Sequence, residues 1–466
     1  MKDMVQLTQP KYFINCVNEG VLSMGSCKIL TIGDKLKDLR EKYNVRQDDI
    51  AGGDITRNLI SQIEHGKANL TKSAAKIILK NLKKICAEKH IKVDESIEYL
   101  MEDEKSQANK ILDDYIKELK DLSIYKDGSF VHKLSEVEEF FIDWNLADKK
   151  IAVFELAGDY FANTNDLYNS SMYYEKARAL MDVSGYTQNI FSVLRKLSMV
   201  YSYMDKYEED IKCCDFALNQ FAHKISQQYR SIFLFNSALG YSGLKKYDIA
   251  LKRLAKLETM MKDTSTDKYC EVLVQEAFCL GMMEKYNETL DICNKVLKIT
   301  RKDNFELCAL VMFNMVDAYI DLGKKEMAKQ YLEEIAQIID KVPQTAKRLP
   351  YLYCEAGNLH KKLNDNKMAK AYYLKSLQYA KLYKQYNTIG STLNDLFDIY
   401  FQDNDYKGIN KVKDMFLLNL SDEQKVDVQL INKLLEYYLE QEDHEALKEI
   451  QKFIKLYMKG RGYSVL

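Results

Sequence analysis

Between residues 168 and 444 the chain repeats itself. A tight turn ahead of an amphipathic stretch falls at Tyr168, Tyr207, Tyr247, Tyr286, Glu326, Lys367, Tyr406 and His444, at intervals of 39, 40, 39, 40, 41, 39 and 38 residues. Each unit holds two stretches with apolar residues at helical spacing, for example Ser231–Leu244 and Asp248–Met261. Two helices alone cannot bury both apolar faces, so such units must stack into an array. Three prolines and 18 glycines in 466 residues leave too little turn chemistry for an all-β chain. The predicted fold class is therefore all-α, with a solenoid as its larger part.

The segment before the array has a different pattern. Thr56 is placed to cap a helix, and Ile55 and Ile60 have the spacing of a hydrophobic staple across its start. Leu59, Ile60 and Ile63 then face inward, which leaves Arg57, Asn58, Ser61 and Gln62 on the outward face. Such side chains suit base edges, since Arg reads guanine and Asn or Gln reads adenine in two-pronged fashion. Ahead of them, Ile29–Val45 gives a helix with Ile32, Leu36, Leu39 and Tyr43 on one face. Gln47–Ala51 opens a short second helix, with Asp48 and Asp49 where the helix dipole favours them. Gly52-Gly53 makes the turn, and Leu70–Ala87 supplies a further helix to close a small core.

Charge divides the chain in the same place. Residues 24–92 carry 15 Lys+Arg against 8 Asp+Glu, a local balance of +7, while residues 93–466 carry 51 against 59, or −8. A small basic head on an acidic body points to a polyanion at the head only. The ten cysteines show no C-x-x-C spacing, which fits free thiols in a reducing compartment and predicts a cytoplasmic protein. No apolar run reaches the ~20 residues of a membrane span. There is no phosphate-cradling glycine motif and no metal-spaced His/Cys/Asp set, and the histidines (65, 90, 132, 223, 360, 444) are scattered. The expectation is a chain without enzymatic activity, metal or cofactor.

Taken in order, Ile32-Gly33, Leu36, Leu39-Arg40, Gln47 to Ala51 and Ile60 to Lys67 resemble the Xre/Cro-like, lambda-repressor-like helix-turn-helix family over about 60 residues. The resemblance implies that Gln47 reaches phosphate or base, and that Thr56, Arg57, Asn58, Ser61 and Gln62 form the base-reading face. It also makes Arg40 and Glu64 a structural ion pair. Lys67, Lys72 and Lys76 are candidates for phosphate contacts. Two features depart from the family: Arg46 stands where Thr or Ser usually caps the second helix, and the spacing from Ala51 to Ile60 is about one residue short.

Several repeats resemble the tetratricopeptide repeat, with a longer period. Asn236-Ser-Ala-Leu-Gly-Tyr241 followed by Tyr247-Asp-Ile-Ala250 is the clearest, and Phe313 to Tyr319 with Ala328 and Glu355 to Gly357 with Ala369 follow the same plan. About 12 residues before each turn stands a polar side chain: Arg195, Asn236, Gln275, Asn314, Glu355, Asn394 and Asn432. In a right-handed superhelix this position lines the concave face. A column of amides there can pair with the N–H and C=O groups of an extended peptide, and Arg195 and Glu355 can hold charged side chains or termini.

The whole layout, an Xre-like head and about eight long repeats, is similar to the RRNPP regulators of Gram-positive bacteria (the Rgg, NprR, PlcR and PrgX group). That resemblance implies a dimeric, cytosolic transcriptional regulator of the quorum-sensing kind. It would bind double-stranded operator DNA, palindromic to match the dimer, and a short signalling peptide clamped by Asn236, Asn314 and Asn394. The related Rap proteins lack such a head, so residues 29–90 argue against a purely Rap-type activity. The expected organisation is an extension of no assigned role over 1–27, the helix-turn-helix domain over 28–90, a solvent-facing helical linker over 91–105, and the repeat domain over 106–466. The alternative is an interaction scaffold whose repeats bind a partner protein and whose head serves dimerisation.

Overall fold

The computed structural model describes residues 29–184, 190–261, 266–301, 303–420 and 427–460, so the extension over 1–27 lies outside the described residues. Among these, regular structure is helical throughout apart from one isolated bridge between Gly52 and Ile55. The helices fall into two compact units: residues up to 118 together with 135–149, and residues 119–134 together with 150–466. The division runs within three helices, α6, α7 and α8 below, rather than at a linker over 91–105.

The first unit begins with α1 (Ile32–Lys42), α2 (Gln47–Ala51), α3 (Arg57–Glu64), α4 (Lys72–Glu88) and α5 (Ile97–Met101). α1 starts three residues later than its apolar pattern suggests because Thr31 caps it. Thr31 Oγ1 accepts from the Asp34 N–H (3.0 Å) and the Asp34 carboxylate accepts from the Thr31 N–H (3.3 Å). Leu36, Leu39, Tyr43, Ile50, Ile60, Ile63, Ile78 and Leu82 form the core, while Ile32 and Leu59 are only partly buried. Gly33 lets α1 cross the end of α3, since a Cβ there would lie 2.7 Å from the Ile63 carbonyl oxygen. Without a capping hydroxyl at Arg46, the Asp49 carboxylate takes the Arg46 N–H at 2.7 Å. At the other end of α2, where Gly52 turns the chain at φ 60°, Asn81 Nδ2 donates to the Ile50 and Ala51 carbonyls.

Residues 91–105 are not the solvent-facing connection expected of them. Leu100 is fully buried in the head core, with Val93, Ile97 and Met101 packed beside it. Lys35, 2 % exposed, donates from Nζ to the Tyr99 carbonyl (3.1 Å), the Glu102 carbonyl (3.0 Å) and the Glu102 carboxylate (3.3 Å). Tyr43 and Lys42 both bond Glu95. The apolar positions of this segment are hidden among acids in the sequence, and those acids are the partners of α1. Two longer helices follow, α6 (Glu104–Tyr125) and α7 (Ser129–Asp143).

The second unit contains eight helix pairs: α8 (Ala147–Asn163) with α9 (Leu167–Ser184), α10 (Ile190–Tyr203) with α11 (Tyr207–Gln220), α12 (Gln227–Gly243) with α13 (Tyr247–Met261), and α14 (Thr266–Met282) with α15 (Tyr286–Ile299). They continue as α16 (Phe305–Asp321) with α17 (Lys325–Ile339), α18 (Leu349–Lys362) with α19 (Asn366–Leu382), α20 (Tyr386–Gln402) with α21 (Tyr406–Leu420), and α22 (Val428–Glu440) with α23 (His444–Gly460). Every second helix starts within one residue of the turn read from the sequence. The eight turns share one device. Asn165, Asp205, Lys245, Glu284, Gly323, Asn364, Asn404 and Glu442 all have positive φ, two residues before the second helix. After each, a backbone N–H reaches back into the first helix, as from Lys206 to the Tyr201 carbonyl and from Asp405 to the Tyr400 carbonyl. This is the left-handed helix ending that stops one helix and aims the next.

Within a pair, small residues admit the neighbour. Ala238, Ala277 and Ala369 are fully buried, and a Cβ on Gly357 would come within 2.6 Å of the Tyr373 ring. The first helices of successive pairs approach one another closely from α10 to α22, whereas among the second helices only α21 and α23 do so to the same degree. In a curved array the crowded side is the inner one, so the first helices line the concave face. The array also meets itself. Asn165 Nδ2 donates to the Lys384 carbonyl, and Asn387 Nδ2 donates to the Tyr203 carbonyl at 2.8 Å, joining the first two turns to the link between α19 and α20.

Candidate recognition surfaces

The head places α3 with one face in the core and the other outside. Thr56 caps it, its Oγ1 accepting from the Leu59 N–H at 3.2 Å. Arg57, Asn58 and Gln62 are exposed and Ser61 is half-buried, so the four predicted outward residues share the open face. Lys67, Lys72 and Lys76 are exposed as well. Arg57 approaches only the exposed Asp48, at 3.8 Å, a contact that water screens and that leaves the guanidinium available. The Arg40–Glu64 pair forms as the family pattern implies, Nε to Oε1 at 2.9 Å with Glu64 4 % exposed. Gln47 is drawn into it: Nε2 donates to Glu64 Oε2 at 2.8 Å, so its amide nitrogen braces the head and is turned from any partner.

In the second unit the structure sets the polar column on the first helices, and Arg195, Asn236, Gln275, Asn314, Glu355 and Asn394 are all half-buried; Asn432 is exposed. The amides are already engaged. Asn236 Nδ2 donates to Ser198 Oγ (2.9 Å), Gln275 Nε2 to Ser242 Oγ (3.1 Å) and Asn314 Nδ2 to the Val274 carbonyl (3.1 Å), each on the preceding first helix. Asn394 Nδ2 donates forward to Asp427 Oδ2 (2.7 Å), and its Oδ1 is buried without a partner. The nitrogens thus tie repeat to repeat. The oxygens of Asn236, Gln275 and Asn314 accept no hydrogen bond among the described residues.

Sequence reading missed a second set of side chains on the same helices. Lys196 bridges Glu155 and Asp159, both at 2.8 Å. Lys361 reaches Asp395 (2.9 Å) and Asp398 (3.5 Å), Lys433 reaches Asp398 (2.6 Å), and Lys362 pairs with Asp317. Their signal was present as opposite charges one to seven residues after the column in neighbouring repeats, from Lys196, Asp395 and Lys433 to Lys361 and Lys362. Glu355 pairs with no cation among the described residues, and its only hydrogen bond is from Asn358 Nδ2 at 3.3 Å. Burial, and then the nearby Asp317, push its carboxyl up to about 7. His360 is taken up by Asp365 (3.2 Å) and by stacking on Tyr372. Among the described residues no cluster of metal-binding side chains occurs, and no helix is long and apolar enough to cross a membrane.

The described residues thus form a head whose core draws on five helices, and eight two-helix repeats. No family model and no curated protein matches the sequence. Among solved structures the chain is similar to the apo form of RapI, at 13% identity over 82% of this chain and 96% of that one, with a TM-score of 0.47. It is similar to the apo form of the quorum sensor NprR from B. thuringiensis, at 12% identity over 92% and 99%, TM-score 0.44. A third is NprR in complex with its cognate peptide NprX, at 15% identity over 92% and 99%, TM-score 0.45. Likenesses of this size carry no argument about activity, which has to be built from the residues.

Proposed function

We propose that this chain is a cytoplasmic, DNA-binding transcriptional regulator, acting as a homodimer, whose activity is set by a short signalling peptide in the concave face of its repeats. The observation that carries the reading is the open face of α3. Arg57, Asn58 and Gln62 stand exposed at the start of a capped helix that Gly33 and the Arg40–Glu64 pair hold in place. A rigid helix presenting a guanidinium and two amides within a basic segment fits the major groove. The peptide half rests on the acceptor oxygens of the column and on Glu355, which suit the N–H groups of an extended main chain and a cationic end. Peptide binding would shift the population between two curvatures of the array, and with it the spacing of two heads. In this reading the chain is no enzyme and needs no cofactor.

Selection of the full-length protein on random double-stranded DNA tests the first half. A defined half-site repeated with dyad symmetry should emerge, with affinity that falls steeply as salt rises. Arg57→Ala should lose roughly tenfold or more on the selected site, the worth of one two-pronged base contact, with unfolding unchanged. Recovery of no preferred sequence would remove the DNA-binding reading.

A further inference from the structure

At the fourth residue of the second helix the repeats keep an uncharged side chain, fully or almost fully buried: Ser170, Ala250, Thr289, Ala328, Ala369 and Ile409. The repeat of α10 and α11 puts Asp210 there, 0 % exposed. Where a hydroxyl occupies the position it bonds backbone, Ser170 to the Gly158 carbonyl (2.9 Å) and Thr289 to the Ala277 carbonyl (3.2 Å). Asp210 instead accepts from a side chain, Ser198 Oγ at 2.6 Å, at a position where the flanking repeats have Gly158 and Ala238. Its Oδ2 is buried without a partner, and Gly240 leaves the room for it, since a Cβ there would lie 3.1 Å away. A carboxylate taken out of water with one oxygen unmatched is costly, and nothing in the packing of the sister repeats requires it.

Its consequence lies one bond further on. A serine hydroxyl has one proton. Of the two acceptors beside it the Asp210 carboxylate at 2.6 Å outranks the Cys214 sulfur at 3.2 Å, a weak acceptor, and the Cys214 thiol itself donates to Asp210 Oδ1 at 3.3 Å. Towards Asn236 Ser198 can then only accept, which it does from Nδ2 at 2.9 Å. That fixes which end of the amide faces the wall. We propose that Asp210 is a positioning residue: through Ser198 it holds Asn236 with its nitrogen against the array and its carbonyl oxygen free, so that this repeat offers a hydrogen-bond acceptor to a peptide N–H. Its ligand rests on the function proposed above; its geometry does not. Burial pushes the Asp210 carboxyl up to about 6, so at pH 8 it is the anion that accepts the Ser198 proton.

The test uses full-length protein labelled with 15N-asparagine at pH 8, the Asn236 side-chain signal being assigned by its loss in Asn236→Ala. Asp210→Ala frees the serine proton while keeping Ser198 and Asn236. The double variant Ser198→Ala/Asp210→Ala gives this repeat the Ala238 and Ala250 pair with which the next repeat already folds. Exchange of the Asn236 Nδ2 protons with water should rise roughly three- to tenfold in both, the worth of one hydrogen bond. Unchanged exchange in Asp210→Ala overturns the proposal whatever the double variant does, since a carboxyl that only fills space would leave the Ser198–Asn236 bond as it was. A random heptapeptide library supplies the second readout. Peptides captured by the parent protein should weaken roughly tenfold on N-methylation of one backbone nitrogen, and the double variant should no longer notice that methyl group. Faster exchange with no heptapeptide captured by the parent protein would sink the peptide reading and leave the positioning role standing.

Discussion

Lys35 in the head and Asp210 in the repeats are buried charges treated in opposite ways, although the repeats also hold Lys413 buried and paired with Glu449. In the head, Lys35 is 2 % exposed and has three acceptors around one ammonium group. In the repeats, Asp210 keeps one oxygen unmatched and Glu355 has a single amide donor and an acid for a neighbour. A satisfied buried charge holds structure together and leaves nothing for a visitor. A buried carboxyl short of donors costs stability and has to be kept for another reason. The head thus answers the Lys35 charge within its own fold, whereas the array carries two carboxyls that its fold leaves short of donors.

The sharpest way to break this contrast is Lys35→Ala, which takes the ammonium from the Tyr99 and Glu102 carbonyls and leaves the Glu102 carboxylate to Lys110. It should cost about 3 kcal/mol, the usual result of removing one member of a buried pair. Urea unfolding followed by Trp144, the single tryptophan and part of the head unit, reads it directly. A cost below about 1 kcal/mol would place Lys35 with ordinary surface pairs. Glu355→Gln tests the other side. Folding raises this carboxyl from 4.5 to about 7, so the folded state keeps a proton that the unfolded state has released, and stability is lost as pH climbs through that window. The substitution should stabilise the repeats by about 1–2 kcal/mol at pH 8, less than the full shift because the side chain is partly exposed, and by nothing at pH 4. Equal urea midpoints for parent and variant at pH 8 would show that Glu355 is well matched after all. The smallest effect calibrates the background: Lys245→Gly, at φ 59°, should stabilise by about 1 kcal/mol by removing a left-handed strain unconnected to either contrast. A thermal midpoint that falls instead would mean the lysine side chain contributes more than the turn costs.

Much of this was legible in the residues. The 38–41-residue period located all eight turns, because the left-handed ending and the small-residue contacts recur at fixed offsets in each pair. The open face of α3 followed from alternating burial on a capped helix. The sequence pattern did not disclose what the column amides are bonded to, since Asn236 and Asn314 read alike although one donates to a hydroxyl and the other to a backbone carbonyl. Nor did the type of Gln47 disclose that its amide nitrogen donates to Glu64. Residues 91–105 were misread because their many acids suggested solvent, when Glu95 and Glu102 are counterions of α1.

Stacked pairs of helices set no limit on their own number, since each needs only the one before it. The bonds from Asn165 to Lys384 and from Asn387 to Tyr203 impose one. Removing a single pair from between them would carry these partners apart by roughly 8–10 Å, the usual distance between packed helix axes and beyond the reach of an asparagine. The number of pairs between the first turns and α20 is thus written into a seam, while the chain from α21 onward lies beyond it.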